Sequence, residues 1–267
     1  MKGSRRRLDA ELVRRGIVAS RDRAREAVTS GRVTVNGAVA QKAARLVLPG
    51  DALELSGPPD RYVSRGGEKL ESALAAFNLD VSGLGCCDVG ASTGGFTDCL
   101  LQRGAAGVVA VDVGRAQMHE RLAADPRVTL YERTDVRDVD SDGIGAPFDL
   151  VTADVSFISL TSVMDCLTEL VAQNAPVVVL VKPQFEVGRQ EASRSRGVIS
   201  DPELWRVALD RVLESAAAAG LALQAAVPSA LKGTQGNVEF FLHLVRGGTP
   251  SEVDSAELVA QVVPRGE

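Results

Sequence analysis

The stretch Asp88-Val89-Gly90-Ala91-Ser92-Thr93-Gly94-Gly95-Phe96 decides the fold. It follows the apolar run 84–89 and reads as the end of a strand, a glycine turn and the opening of a helix. Glycines there let the chain turn tightly and let a ligand reach the main chain, while the helix start offers free amides. The loop lacks the Gly-Lys-Ser/Thr of a P-loop, and its Gly-x-x-x-Gly-Gly spacing is not the dinucleotide fingerprint. Asp112 ends the next apolar run, 22 residues beyond Gly90, where a carboxylate can accept from both hydroxyls of a ribose. A purely structural turn is the alternative; loop and aspartate together favour a nucleoside cofactor.

Outward from this loop, the apolar runs 148–153, 177–181 and 240–245 alternate with helical stretches. Buried parallel strands read as such continuous runs, so the body is an α/β doubly wound domain. Upstream, Val63 to Leu70 leads into a helix bearing Leu70, Leu74 and Phe77. The 267 residues are 45% apolar and 24% charged, which suits a globular chain with a real core. Cys86, Cys87, Cys99 and Cys166 do not form a disulfide framework, and two histidines all but exclude a multi-histidine metal site. The apolar runs fall far short of the roughly 20 residues that span a bilayer, and the start of the chain lacks a signal-peptide core. The expectation is a cytoplasmic protein.

The net charge of −5 hides an asymmetry: residues 1–60 carry 12 Lys/Arg against 7 Asp/Glu, and the rest carries 18 against 28. A basic head on an acidic body suggests two modules, although a solvated charged face would give the same count. In the head, Leu8, Leu12, Val13, Ile17 and Val18 recur at helical spacing up to a stop at Gly16, and Ser20 is a candidate cap for a second helix. Val33-Thr34-Val35 runs into Asn36-Gly37, a hairpin signal, and Leu46-Val47 and Leu53-Glu54-Leu55 flank Pro49-Gly50-Asp51 as a second strand–turn–strand unit. From Arg7 to Leu55 this order resembles the small RNA-binding domain first described in a ribosomal small-subunit protein. That resemblance implies that Arg7, Arg14, Arg15, Arg21, Arg23 and Arg25 grip phosphates, a contact that suits arginine forks. The domains are then 1–56, a stiff linker 57–63 around Gly57-Pro58-Pro59-Asp60, the α/β body 64–246 and a loose tail 247–267.

Polar residues stand where strands end. Asp154 follows Phe148-Asp149-Leu150-Val151-Thr152-Ala153, Lys182 follows Val177-Val178-Val179-Leu180-Val181, and Glu239 precedes Phe240-Phe241. Ligands of open α/β sheets bind outside the carboxyl ends of the strands, and Glu239 joins them there if its strand runs antiparallel. Lys69 on the upstream helix can complete the group; singly, each is as readily a surface charge. The glycine loop resembles the S-adenosylmethionine loop of FtsJ-like methyltransferases, and the four polar residues match in order the Lys-Asp-Lys-Glu tetrad of ribose 2′-O-methyltransferases. The resemblance implies a Rossmann-like domain in which Gly90, Ser92, Gly94, Gly95 and Phe96 cradle the methionine end. Asp112 would hold the ribose and Asp135 would meet the adenine amino group. Lys182 would be the base that deprotonates the ribose hydroxyl, Asp154 its orienter, and Lys69 and Glu239 positioning groups. A lysine base needs desolvation and a neighbouring cation. The leaving group is neutral, so no metal is required.

With Lys182-Pro183-Gln184-Phe185-Glu186, head and body together resemble the TlyA family, ribosomal RNA cytidine 2′-O-methyltransferases that also carry a hemolysin label. The family's interdomain Arg-x-Trp-Val is Asp60-Arg61-Tyr62-Val63 here, without the leading arginine. Ribosomal RNA is the implied partner. The rival classes are a non-catalytic RNA-binding module that senses the cofactor and a pore-forming hemolysin, for which no membrane-inserting stretch is found. Gly188 to Gly197, polar and bearing Arg189, Arg194 and Arg196, reads as a mobile flap over the RNA backbone.

Overall fold

The computed structural model describes residues 5–18, 21–57, 60–195, 197–233, 235–251 and 254–261. It divides into two units, Met1–Arg65 and Gly66–Glu267. The first unit runs β1 (Arg6–Arg7), α1 (Leu8–Arg14), α2 (Arg21–Thr29), β2 (Val33–Val35), β3 (Ala38–Val39), β4 (Leu46–Val47) and β5 (Leu53–Leu55). Leu8, Leu12 and Val18 meet Ala24, Ala27, Val28, Val33, Val35 and Val47 in a core of their own. The turn from β2 to β3 has φ of 53° at Asn36 and 79° at Gly37, the left-handed pair that a two-residue hairpin needs. The second strand–turn–strand expectation is corrected: β4 pairs with β1 and β5 with β2, not with each other. Asp51 accepts from the Leu48 amide at 2.8 Å and from Asn36 Nδ2 at 2.9 Å, which ties the Pro49-Gly50-Asp51 turn to the first hairpin. The candidate cap Ser20 lies outside the described residues.

The second unit follows with α3 (Arg65–Ala76, beginning one residue earlier), β6 (Gly85–Val89), α4 (Gly95–Gln102), β7 (Gly107–Asp112), α5 (Glu120–Ala123), β8 (Val128–Glu132) and β9 (Leu150–Ala153). It continues with α6 (Met164–Leu170), β10 (Pro176–Val181), α7 (Pro183–Glu186), α8 (Arg189–Arg194), α9 (Pro202–Ala218), β11 (Leu221–Pro228), β12 (Phe240–Arg246) and α10 (Ser255–Ala260). Seven strands form one sheet in the order β11-β12-β10-β9-β6-β7-β8. The strands β8, β7, β6, β9 and β10 are parallel, and β12 runs antiparallel to both of its neighbours. The strand order reverses between β6 and β9, which opens a crevice at their carboxyl ends.

Two strands, β8 and β11, escape a search for apolar runs. Both are edge strands, half-buried along most of their length, so neither needs a continuous apolar sequence. The loose-tail expectation is also corrected in part. The last described segment contains α10, whose Leu258 (2% exposed) and Val259 join the main core beside Trp205 and Leu209. Within the expected flap, residues 189–194 form a helical turn and a half rather than a loop, with Arg194 paired to Glu191; Arg196 lies outside the described residues. Because Leu258 fills core volume, Leu258→Ala should destabilise the protein by about 2–4 kcal/mol. Urea unfolding checks this, with Glu257→Ala on the exposed side expected to leave the midpoint in place.

Candidate active site

At the end of β6 the chain turns through Gly90, whose φ is +81°. A Cβ there would lie 2.7 Å from the Asp154 carbonyl oxygen, so the absence of a side chain is what lets the β6 and β9 loops touch. Ser92 also takes a left-handed φ of 48° and donates its amide to Asp112 Oδ2 at 2.8 Å, while Asp112 Oδ1 accepts from Gly114 at 2.6 Å. Around them lies a cleft of about 290 Å³ whose lining includes Gly90, Ser92, Asp112, Val113, Asp135 and Asp154. Val113 is 70% exposed, an apolar wall next to the Asp112 carboxylate. Asp135 caps the short 3-10 helix Val136–Asp138 and is gripped by Arg137 at 2.5 Å; that bond holds its carboxyl at about 2, below the usual range.

Three residues of the predicted loop do not line this cleft. Gly94, with φ +90°, swings the chain into α4, and a Cβ on it would meet Leu122 at 2.4 Å. Gly95 is buried at the start of α4, and the Phe96 ring packs inward, 6.0 Å from Phe241. Their side-chain positions thus serve packing under α5 and the sheet. Gln117, which accepts from Ser92 Oγ at 3.2 Å, and Thr134 do line the cleft and were not singled out from sequence.

The three strand-end residues and Lys69 on α3 come together as two ion pairs. Lys69 Nζ sits 2.5 Å from Glu239 Oε2, and Lys182 Nζ sits 2.6 Å from Asp154 Oδ1. The second contact is too bent for a directional hydrogen bond, since Asp154 Oδ1 is buried and accepts none. Lys182 Nζ instead donates to Ser156 Oγ at 2.8 Å. Antiparallel pairing of Val181 with Phe240 sets Glu239 opposite Lys182, as the sequence reading required. Lys182 and Glu239 line a second cleft of about 750 Å³, and it shares Ser156, Phe157 and Ile158 with the first. Phe157 is 89% exposed at a φ of 68° and faces Phe185 at 5.5 Å. Sequence reasoning missed Ser156 and Phe157, although a serine and an aromatic within three residues of a strand-end aspartate were a usable signal.

Beneath the loop, Asp88 is fully buried and accepts from Thr97 Oγ1 at 2.6 Å and Thr152 Oγ1 at 3.2 Å. Burial raises its carboxyl to about 7. In the first unit, buried Asp9 accepts from Arg7 and Arg21, with Arg25 at 3.8 Å, and buried Glu11 accepts from Arg14 and Arg15. These bonds, led by Arg7 and Arg14, hold both carboxyls at about 2. Arg7, Arg14, Arg21 and Arg25 remain about half exposed. Two of the expected arginines are engaged within the fold. Arg23 is only 3% exposed, between Glu26 and Asp60. Arg15 spans the Leu48 to Asp51 turn through three carbonyl oxygens.

The description FtsJ-like methyltransferase matches residues 62–246 of the chain, and the S4 domain description matches residues 6–53. The 16S/23S rRNA (cytidine-2'-O)-methyltransferase TlyA of Mycobacterium tuberculosis is 46% identical over 241 residues, 90% of each chain. This chain belongs to the TlyA family of FtsJ-like methyltransferases. Hemolysin A of Brachyspira hyodysenteriae is 35% identical over 90% of this chain and 99% of that one. The solved structure of a hemolysin-labelled protein from Streptococcus thermophilus superposes with a TM-score of 0.79 at 37% identity, covering 96% of this chain and 95% of that one. Among the described residues no helix is long and apolar enough to cross a membrane.

Two outcomes follow from the loop's geometry. Since Asp88 holds its proton more tightly when folded, its contribution to stability is full below 3.8 and is lost as pH rises through about 7. Urea midpoints of the parent should fall between pH 5 and pH 8, and Asp88→Asn should flatten that fall. Gly90→Ala forces a Cβ against the Asp154 carbonyl, so calorimetry should find cofactor affinity reduced at least about tenfold for a lost contact of this size.

Proposed function

We propose that this protein transfers a methyl group from S-adenosylmethionine to the ribose 2′-hydroxyl of cytidine in ribosomal RNA, with Lys182 as general base. The observation that carries this reading is the junction of the two clefts, where Lys182, Asp154 and Ser156 meet. The smaller cleft suits the cofactor. Asp112 offers a carboxylate to ribose hydroxyls, Val113 an apolar wall to a purine, and Asp135 an acceptor near it. Gly90 lies against the Asp154 carbonyl, and Ser92 lies against Asp112. When bound, the cofactor supplies an electrophilic methyl group on sulfonium and leaves as a neutral thioether.

The larger cleft suits the target nucleotide. A ribose hydroxyl is a poor nucleophile, so it must give up its proton as it attacks, and Lys182 Nζ, acting as the neutral amine, is the atom whose lone pair takes it. Asp154 stabilises the resulting ammonium. Glu239, which lines this cleft, is held in place by its ion pair with Lys69. The named activity of the Mycobacterium tuberculosis relative supports the choice of ribosomal RNA and of cytidine. On the first unit, Arg7, Arg14, Arg21 and Arg25 contact phosphates, held in fixed orientation by Asp9 and Glu11.

Lys182→Ala should abolish transfer of labelled methyl groups to ribosomal subunits while cofactor affinity by calorimetry stays near the parent value. Turnover at the parent rate would remove Lys182 from the role of base. Replacing Arg14, Arg21 and Arg25 by alanine should weaken RNA binding and reduce the slope of log affinity against log salt by up to about 3. Filter binding across a salt series measures both.

A further inference from the structure

We propose that Ser156 is a positioning residue for Lys182, directing the amine toward the hydroxyl that it deprotonates. The inference rests on Lys182 being the base. As a neutral amine the lysine nitrogen carries two hydrogens and one lone pair besides its carbon stem, and the stem is long and flexible. Asp154 lies 2.6 Å from Nζ but in a bent approach, so it supplies charge with little direction. Ser156 Oγ accepts from Nζ at 2.8 Å and supplies the direction. With two sides of the nitrogen occupied, the third is left for the incoming proton, and it opens on the cleft that Lys182 and Ser156 both line.

Ser156 is itself held in place relative to Lys182. Three residues beyond it, the Ser159 hydroxyl donates to the Glu186 carboxylate, and the Leu160 amide donates to Glu186 Oε1 at 2.9 Å. Glu186 is buried and stands four residues after Lys182, on the turn that leaves the same strand. The loop after β9 and the turn after β10 are therefore tied together, and Ser156 and Lys182 move as a unit. Between the tie and Ser156, Phe157 adopts a left-handed φ of 68°, a conformation costly for an aromatic residue. Ser156 is exposed to the cleft, so its hydroxyl is not needed to fill the core.

The test compares Ser156→Ala and Ser156→Thr with Lys182→Ala in single-turnover and steady-state methylation of ribosomal subunits. Ser156→Ala should lower kcat by about tenfold to a hundredfold, the usual loss for a misdirected catalytic group, with KM for RNA and Kd for S-adenosylmethionine within about twofold of the parent. Ser156→Thr retains the hydroxyl and should recover most of the rate. A parent-like kcat in Ser156→Ala, or a Ser156→Thr variant as slow as the alanine one, overturns the inference. If Ser156→Ala is normal while Lys182→Ala is inactive, only the role of Ser156 falls. If Lys182→Ala turns over normally, the assignment of the base falls with it.

Discussion

Two buried lysines at one edge of a sheet are tolerable only if each has a carboxylate against it. An unpaired charge removed from water costs several kcal/mol, and two like charges add repulsion. Here the pairs are Lys182 with Asp154 and Lys69 with Glu239. The sheet is arranged so that both can form. Parallel β9 and β10 release Asp154 and Lys182 at one edge, whereas Glu239 comes before its strand and reaches that edge only because β12 runs the other way. A parallel β12 would carry Glu239 to the opposite edge and leave Lys69 without its partner.

The same edge carries the smaller cleft, and one glycine joins the two. Gly90 lets the β6 loop press against the Asp154 carbonyl, which brings the carboxylate beside Lys182 and the floor of the smaller cleft into a single contact. Asp88 lies under this contact, buried and bonded to Thr97 and Thr152. Its raised carboxyl makes the loop's footing weaker as pH rises, a cost borne at a site where stability gives way to function.

In the first unit one residue type has two tasks. Arginines that face outward rest on buried Asp9 and Glu11, so their forks are held in direction. Such preorganisation would reduce the ordering cost of binding a ligand there. Arg15 and Arg23 are spent inside the fold, on a turn and on an acidic pair. Nothing local in the sequence separates the two groups, because exposure depends on how α2 packs and where the turns return.

Sequence alone determined the alternation of central strands, the glycine loop, the Asn36-Gly37 hairpin and the three polar residues at strand ends. Each of these is written in adjacent residues or in short periodic patterns, which burial on both faces of a sheet enforces. The edge strands β8 and β11 were not legible, since one exposed face relaxes the pattern, nor was α10, a short amphipathic turn in a polar tail. Tertiary structure decided which lysine meets which carboxylate, that Ser156 bonds to Lys182 and Leu160 to Glu186, and that Gly94 and Phe96 pack inward instead of lining the cleft. The reason is one of range. These contacts join residues separated by up to 170 positions, and their geometry exists only once strand order and direction are fixed.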